Sequence, residues 1–272
     1  MNTSSAFIRP VAVALAVFLA GAHIQVQAAE AESAIATDRP DFVESSVVVG
    51  RGVFQLETSL AYERDTRGGG DVKSWTTPTL LRFGITDTLE LRLETDAFTS
   101  QRSITNGQGA NVAGFADVSL GVKWHIGDEA ESGRPSTALL FHVDIDSGSA
   151  EFRRNGLAPS VRGVAEWSLS GGFSLGAMAG VVWDRAENSE NFQSGILAVT
   201  VGKTFTDHLR GFVELAGRSL AKQQYGGNTV TFDAGLAYAL DRDTQWDVAI
   251  AVSTNRETPD HALTVGFSKR FR

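Results

Sequence analysis

The 272-residue chain contains no cysteine. It therefore cannot form a disulfide framework, a cysteine-based zinc or iron–sulfur site, or a thiol nucleophile. It also lacks a basic surplus, because 24 lysines and arginines stand against 32 aspartates and glutamates, giving a net charge of -8. A nucleic-acid-binding protein is expected to carry the opposite excess. We therefore expect no nucleic-acid partner, and no cofactor or metal is implied by any phosphate-binding, dinucleotide-binding or zinc-binding motif.

Long apolar runs are confined to the first residues of the chain. The run Val11–Ala22 is preceded by Arg9 and followed by the short side chains of Val26-Gln27-Ala28. This order predicts a secretory signal peptide over residues 1–28, so that the mature chain begins at Ala29 outside the cytoplasm. A membrane anchor is the alternative, but the run is shorter than the roughly 20 apolar residues that a spanning helix needs.

The rest of the chain alternates between apolar and polar residues with a period of two. In Leu89–Ala97 the leucines occupy every second position and charged residues lie between them. Because side chains alternate across a strand, this pattern predicts strands with one apolar face. The twelve predicted strands are Val53–Glu63, Lys73–Gly84, Thr88–Phe98, Ala116–His125, Thr137–Asp146, Leu157–Trp167, Phe173–Asp184, Ser194–Phe205, Leu209–Gly217, Thr229–Leu240, Gln245–Thr254 and His261–Phe271.

The connections between these strands alternate between short turns and longer polar loops, such as the predicted loops Arg64–Val72 and Thr99–Val112. Alternating strands with this loop asymmetry are typical of outer-membrane barrels. A soluble sandwich is the alternative, but it would bury its aromatic residues in mid-strand. Here all five tryptophans lie on the apolar face near strand ends, as at a membrane interface. We predict an all-β, antiparallel up-and-down transmembrane barrel over residues 50–272, in contact with outer-membrane lipid.

Two segments resemble a known family. They are Thr37–Phe42 followed by Glu44-Ser45-Ser46 and Gly52–Glu57, and the hairpin sequence Arg82–Arg92. These residues are similar to the start and second hairpin of the family called "putative meta-pathway of phenol degradation". The resemblance implies a bacterial outer-membrane barrel that is inserted by the outer-membrane assembly machinery. It also implies that the barrel takes up aromatic or hydrophobic compounds.

Alternation places a set of charged side chains inside the barrel. They are Glu57, Arg82, Glu90, Arg92, Glu94, Asp96, Asp117, Asp144, Arg162, Glu166, Arg210 and Glu214. Charges at this density must be paired or hydrated. They could form a salt-bridged filling of the lumen, or an acidic lining that disfavours anions. Because eight strands leave no pore and about 16 leave a wide one, twelve strands predict a constricted passage.

The segment 29–49 precedes the first strand and contains the motif Asp38-Arg39-Pro40-Asp41. It is either a periplasmic tail or a segment that enters the lumen. We expect the motif to narrow the periplasmic mouth, with Arg39 paired to an interior acid such as Glu57, Glu90 or Glu94.

The predicted function is a channel or transporter for small solutes. A structural or surface-interaction barrel acting through its glycine-rich loops is the alternative. An outer-membrane lipid hydrolase is a third possibility, because His142 and Asp144 share the interior face, but no serine accompanies them as such a site requires.

Overall fold

The computed structural model of the protein describes residues 34–186 and 188–272. The predicted signal peptide, residues 1–28, lies outside the described residues. The described chain is all-β and forms a closed, twelve-strand antiparallel barrel, which confirms the predicted fold class.

The twelve barrel strands comprise fifteen strand segments, because three of the barrel strands are each divided into two. They are β1 Phe54–Asp65, β2 Gly70–Thr76, β3 Thr79–Gly84, β4 Leu89–Thr95, β5 Phe98–Thr105, β6 Gln108–Phe115, β7 Val118–Gly127, β8 Ser136–Ile145, β9 Ala158–Leu169, β10 Phe173–Arg185, β11 Asn191–Thr204, β12 Leu209–Leu220, β13 Asn228–Asp241, β14 Thr244–Ser253 and β15 His261–Phe271. Three short 3₁₀ turns cover Arg67–Gly69, Ser170–Gly172 and Gln223–Tyr225.

The barrel closes between its first and last strands. β1 and β15 pair in an unbroken antiparallel register that runs from Phe54 opposite Phe271 to Arg64 opposite His261. Closure gives the edges of both terminal strands a hydrogen-bonding partner, which a lipid environment requires because it offers none.

Three neighbouring barrel strands are each interrupted at the same height. The second barrel strand consists of β2 and β3, the third of β4 and β5, and the fourth of β6 and β7. Pro78 at the first interruption has no N–H to donate, and Ala97 at the second has a φ of 44°, outside the strand region. The third interruption, at Ala116-Asp117, lies beside the second, where Ala116 donates to the Ala97 carbonyl.

One predicted loop is wrong. Residues Thr99–Val112 do not form a polar loop, because β5 and β6 continue as a hairpin beyond the interruptions. Its turn is Asn106-Gly107, with φ angles of 52° and 79°. Positive φ at both turn residues defines the tight turn that suits twisted hairpins and favours Asn-Gly. The hairpin leaves one edge of β6 without a strand partner among the described residues.

The outer surface carries an aliphatic band between aromatic ends. Leu91, Val143 and Val199, which lie on the apolar face of their strands, are exposed on this surface. Trp124 and Trp246 lie toward the end with the short turns, whereas Trp75 and Trp183 lie toward the end with the long loops. We call these the short-turn end and the long-loop end. No helix in residues 34–186 and 188–272 is long and apolar enough to cross a membrane.

Candidate functional site: an occluded lumen

Residues 34–49, here called the N-terminal segment, lie in the half of the lumen nearest the short-turn end. Ile35 donates to the carbonyl of Arg242 in the turn before β14, and Val49 donates to Glu90 on β4. The chain then reverses into β1 at Gly50, whose carbonyl oxygen would lie 1.6 Å from a Cβ placed on Gly84. Only glycine at position 84 permits this approach, so the segment is held close to the wall where it leaves the lumen.

Asp38 is the centre of a buried ion network. Its carboxylate lies 2.5 Å from Arg92, 2.8 Å from Lys123 and 3.5 Å from Arg82, all three buried. Its backbone N–H donates to Glu57 on β1. Burial alone would raise the pKa of Asp38, but the nearby positive charges of Arg82, Lys123 and Arg92 lower it well below its usual range.

The same cations also bind wall carboxylates. Arg82 lies 3.0 Å from Glu57 and 2.9 Å from Glu90, and Arg92 lies 2.7 Å from Glu94. Glu44 of the N-terminal segment adds contacts of 2.7 Å to Arg92 and, on β9, 2.6 Å to Arg162. The wall cations thus bind carboxylates of the wall and, in addition, carboxylates supplied by the segment.

Two interior glutamates bind backbone instead of a cation. Both oxygens of Glu214 accept hydrogen bonds, from the N–H groups of Phe42 and Val43, each at 2.8 Å. Glu166 accepts from the N–H and hydroxyl of Ser46. Carboxylates used this way satisfy the main chain of an irregular segment that has no strand partner of its own.

The wall opposite the ion network also carries an apolar cluster. Val43 packs among buried side chains of β8 to β12, with Phe42 against the edge of this cluster. Its wall members are Leu140, Val164, Met178, Ile196, Ala198 and Ala216. The N-terminal segment therefore meets both apolar and acidic side chains on β8 to β12, since Glu166 and Glu214 of these strands bind its backbone. The predicted set of interior residues contains charged residues alone, so it omits these apolar interior positions.

The expected partner of Arg39 is wrong. Arg39 does not pair with Glu57, Glu90 or Glu94, but lies 3.1 Å from Asp247 on β14. Its guanidinium occupies the space over Gly266, where an added Cβ would come within 2.6 Å of it. The three expected acids are already paired with Arg82 and Arg92.

The last two motif residues lie above this network. Asp41 is 3.8 Å from Arg210, and burial raises the pKa of Asp41 despite that nearby positive charge. Arg210 also donates to the carbonyl of Arg39. The Arg39–Pro40 peptide is cis, and Pro40 lines the space above the segment.

A cavity of about 680 Å³ lies between the N-terminal segment and the long-loop end. Its apolar lining includes Phe42, Leu80, Val118 and Phe152. Its polar lining includes the predicted residues Asp96, Asp117, Asp144 and Arg162, together with Arg154 and Arg218. Arg218 lies 4.5 Å from the centre of the Phe42 ring and 2.5 Å from Asp233. The volume falls within the usual range of small-molecule sites, about 300–1,000 Å³.

Residues 146–157 fold over the mouth of this cavity. Arg154 binds Asp144 on β8 and lies 2.7 Å from Asp184 on β10. Asp117 accepts hydrogen bonds from the backbone N–H groups of Gly148 and Arg154. The sequence gives no signal for these roles of Arg154 and Phe152, because both lie in a loop where alternation carries no information.

His142 lies on the interior face of β8, as alternation predicts. It is buried, its Nε2 lies 3.2 Å from Glu94, and its ring fills the space over Gly121. The described residues contain no group of three His, Asp or Glu side chains arranged to hold a metal ion.

A closed twelve-strand barrel with a lipid-facing apolar band and a charged interior is a transmembrane barrel of the bacterial outer membrane. The sequence profile of the family described as "Putative MetA-pathway of phenol degradation" matches residues 37–271. The chain belongs to this family. No curated protein sequence matches the chain.

Solved structures show the same fold at low sequence identity. The COG4313 outer membrane channel from Pseudomonas putida F1 superposes with a TM-score of 0.60 at 11% identity, covering 84% of this chain and 98% of that one. The beta domain of the Bordetella autotransporter Brka gives 0.52 at 13% identity, covering 80% and 98%. The NanC porin gives 0.52 at 9% identity, covering 79% and 98%. These likenesses concern the fold.

Proposed function

We propose that the protein is an outer-membrane channel that takes up small hydrophobic solutes, with simple aromatic compounds as the preferred class. The observation that carries this proposal is the cavity above the N-terminal segment. Phe42, Leu80 and Phe152 offer an apolar surface to a ring, while charged side chains that line the same cavity, such as Arg162 and Arg218, offer hydrogen bonds to one polar substituent. The family's description supports the aromatic class, because it names phenol degradation.

The route into the cavity begins at the long-loop end. Short turns face the periplasm in outer-membrane barrels, so the long loops and residues 146–157 face the exterior. A solute therefore reaches the cavity from outside past these residues. The ion network around Asp38 lies beneath it and leaves no wide aqueous pore for ions. The charged interior thus serves mainly to hold the N-terminal segment, and the apolar lining above it selects the solute.

Uptake of radiolabelled toluene by intact cells with a full lipopolysaccharide layer tests this function. Ser119 faces the cavity from β7, so Ser119→Trp should fill it and reduce uptake to the level of cells without the protein. Leu215→Trp is the matched control, because Leu215 is exposed on the outer surface of β12 and a tryptophan there leaves the cavity unchanged. If the protein does not raise uptake above that of cells lacking it, the proposal is refuted.

A further inference from the structure

We infer that the outer face of β1, β2 and β5, at the long-loop end, binds a phosphorylated and acylated glycolipid of the outer leaflet, the class to which lipopolysaccharide belongs. Two features of this face point to such a ligand. One is a row of basic side chains, and the other is an apolar groove directly beneath it. A molecule that fits both carries anionic groups next to hydrocarbon chains.

The basic side chains form a row across three neighbouring strands. Arg64 on β1 is the cross-strand partner of Lys73 on β2, and Lys73 is in turn the partner of Arg102 on β5. Alternation places all three on the same outer face as the exposed Trp75. We call these three residues the basic row. Side chains directly opposite each other lie about 5 Å apart, so the row holds like charges close together.

The protein neutralises the basic row only in part. Asp71 on β2 faces it, 2.9 Å from Arg64 and 3.7 Å from Lys73. Arg102 is exposed and forms no ion pair among the residues that the structure describes. Like charges in opposite positions destabilise a sheet. An anion that binds across the row therefore removes a cost that the protein alone does not offset.

An apolar groove of about 290 Å³ lies beneath the basic row on the same face. Its lining consists of Leu60, Tyr62, Trp75, Leu263 and Val265. Tyr62 and Trp75 are cross-strand partners with ring centres 4.9 Å apart, and they lie one same-face position below the basic row. Aromatic rings mark the interface between headgroups and hydrocarbon. The groove is therefore at the level of the acyl chains, and the basic row is at the level of the headgroups.

The width of the basic row indicates the kind of headgroup. Neighbouring strands are about 4.8 Å apart, so three strands spread the cations over about 10 Å. One phosphate cannot span this width, whereas a sugar headgroup with several phosphates can. Because the long loops face the exterior, the basic row lies in the outer leaflet, where such glycolipids reside.

Native mass spectrometry of the mature chain, refolded from inclusion bodies into detergent, measures this binding. The probes are hexa-acylated lipid A with two phosphates, the same sugar bisphosphate without acyl chains, and dimyristoyl phosphatidylglycerol. Lipid A should bind more tightly than either of the others by about tenfold or more, because each of those lacks one part of the match. Equal affinity for phosphatidylglycerol, or for the deacylated sugar, overturns the inference.

Arg102→Gln tests the basic row, because it removes a cation without breaking an ion pair described above. A basic residue near an anionic surface changes affinity about fivefold, so this variant should bind lipid A about fivefold more weakly. Replacing Arg64, Lys73 and Arg102 together by glutamine should weaken binding about 100-fold. High salt should reduce the difference between wild type and variants by screening.

Lys203→Gln is the matched control, since Lys203 also points outward but lies at the short-turn end, over the ring of Phe173. Its affinity for lipid A should equal that of the wild type. The melting temperature without lipid verifies that each variant is folded, and lipid A should raise it less in Arg102→Gln than in the wild type. Unchanged affinity in Arg102→Gln, or an equal loss in Lys203→Gln, overturns the site. Neither outcome bears on solute uptake, so the proposed channel function is tested separately.

Discussion

Replacing Asp38 with asparagine should release the N-terminal segment from the lumen. The change removes one carboxylate that lies within 3.5 Å of Arg82, Arg92 and Lys123. Lys123 then keeps only the more distant Glu44, at 3.9 Å, as an acidic partner in the segment. Removing one partner of a buried ion pair costs about 3–5 kcal/mol. The wall cations remain, so the cost falls on the state in which the segment is docked.

This cost can be converted into a change in channel opening. Each 1.4 kcal/mol changes an equilibrium about tenfold, so the ratio of undocked to docked segments should rise between about 100-fold and several thousand-fold. Single-channel recording in planar bilayers measures this ratio. The wild-type barrel should be closed for most of the recording, whereas Asp38→Asn should show frequent openings.

Asp41→Asn is the matched control, since it makes the same chemical change three residues away. Asp41 has one cation nearby, Arg210 at 3.8 Å, and burial already favours its neutral form. This variant should behave like the wild type. Equal open times in the two variants, or closed barrels in both, would show that the ion network around Asp38 does not hold the segment.

Four further outcomes are expected. Deleting residues 29–43 should leave a folded barrel with larger conductance, carried mainly by cations, and high salt should weaken this preference by screening the exposed wall acids. The pKa of Asp38 is lowered by folding. Its contribution to the stability of the docked segment is therefore complete above about pH 4 and is lost as the pH falls below that value. Acid should open the wild-type channel but affect Asp38→Asn less. Leu91→Arg should reduce the free energy of folding into lipid vesicles by about 2–4 kcal/mol, as measured by urea titration, because Leu91 is exposed on the lipid face. A cysteine replacing Ser189 should react with an impermeant maleimide on intact cells, whereas one replacing Asp207 should not. The reverse result would show that the short turns, and not the long loops, face the exterior.

The barrel could be predicted from the sequence because its lipid-facing residues obey a strict local rule. Apolar and polar residues alternate along each strand, and the turns contain polar residues or glycine. The positions of strands and turns can therefore be predicted from neighbouring residues. The interruptions in the second to fourth barrel strands were not predicted, although Pro78 and the Asn106-Gly107 pair are local signals for a break and a tight turn.

The partners inside the lumen could not be read from the sequence. Alternation places Glu214, Glu166 and Arg92 in the interior but does not say what each one meets there. Glu214 and Glu166 bind the N-terminal segment, which follows no regular structure, and Arg92 binds carboxylates of both the segment and the wall. Phe42, which donates to Glu214, lies 172 positions from it in the sequence. Such contacts depend on how an irregular chain fits a three-dimensional space. For this reason the motif Asp38–Asp41 could be selected as important while the partner of Arg39 was assigned wrongly.

The position of the N-terminal segment constrains the order in which the barrel assembles. The segment leads directly into β1, and β1 meets β15 only when the last strand of the chain has been made. If the wall were already closed, the segment would have to enter through one narrow mouth before side chains such as Val43 and Ser46 could become buried. Docking before or together with closure avoids this barrier, and Glu214 and Glu166 then provide a template on the curved sheet. The segment that fills the lumen is therefore docked no later than the step in which β1 pairs with β15.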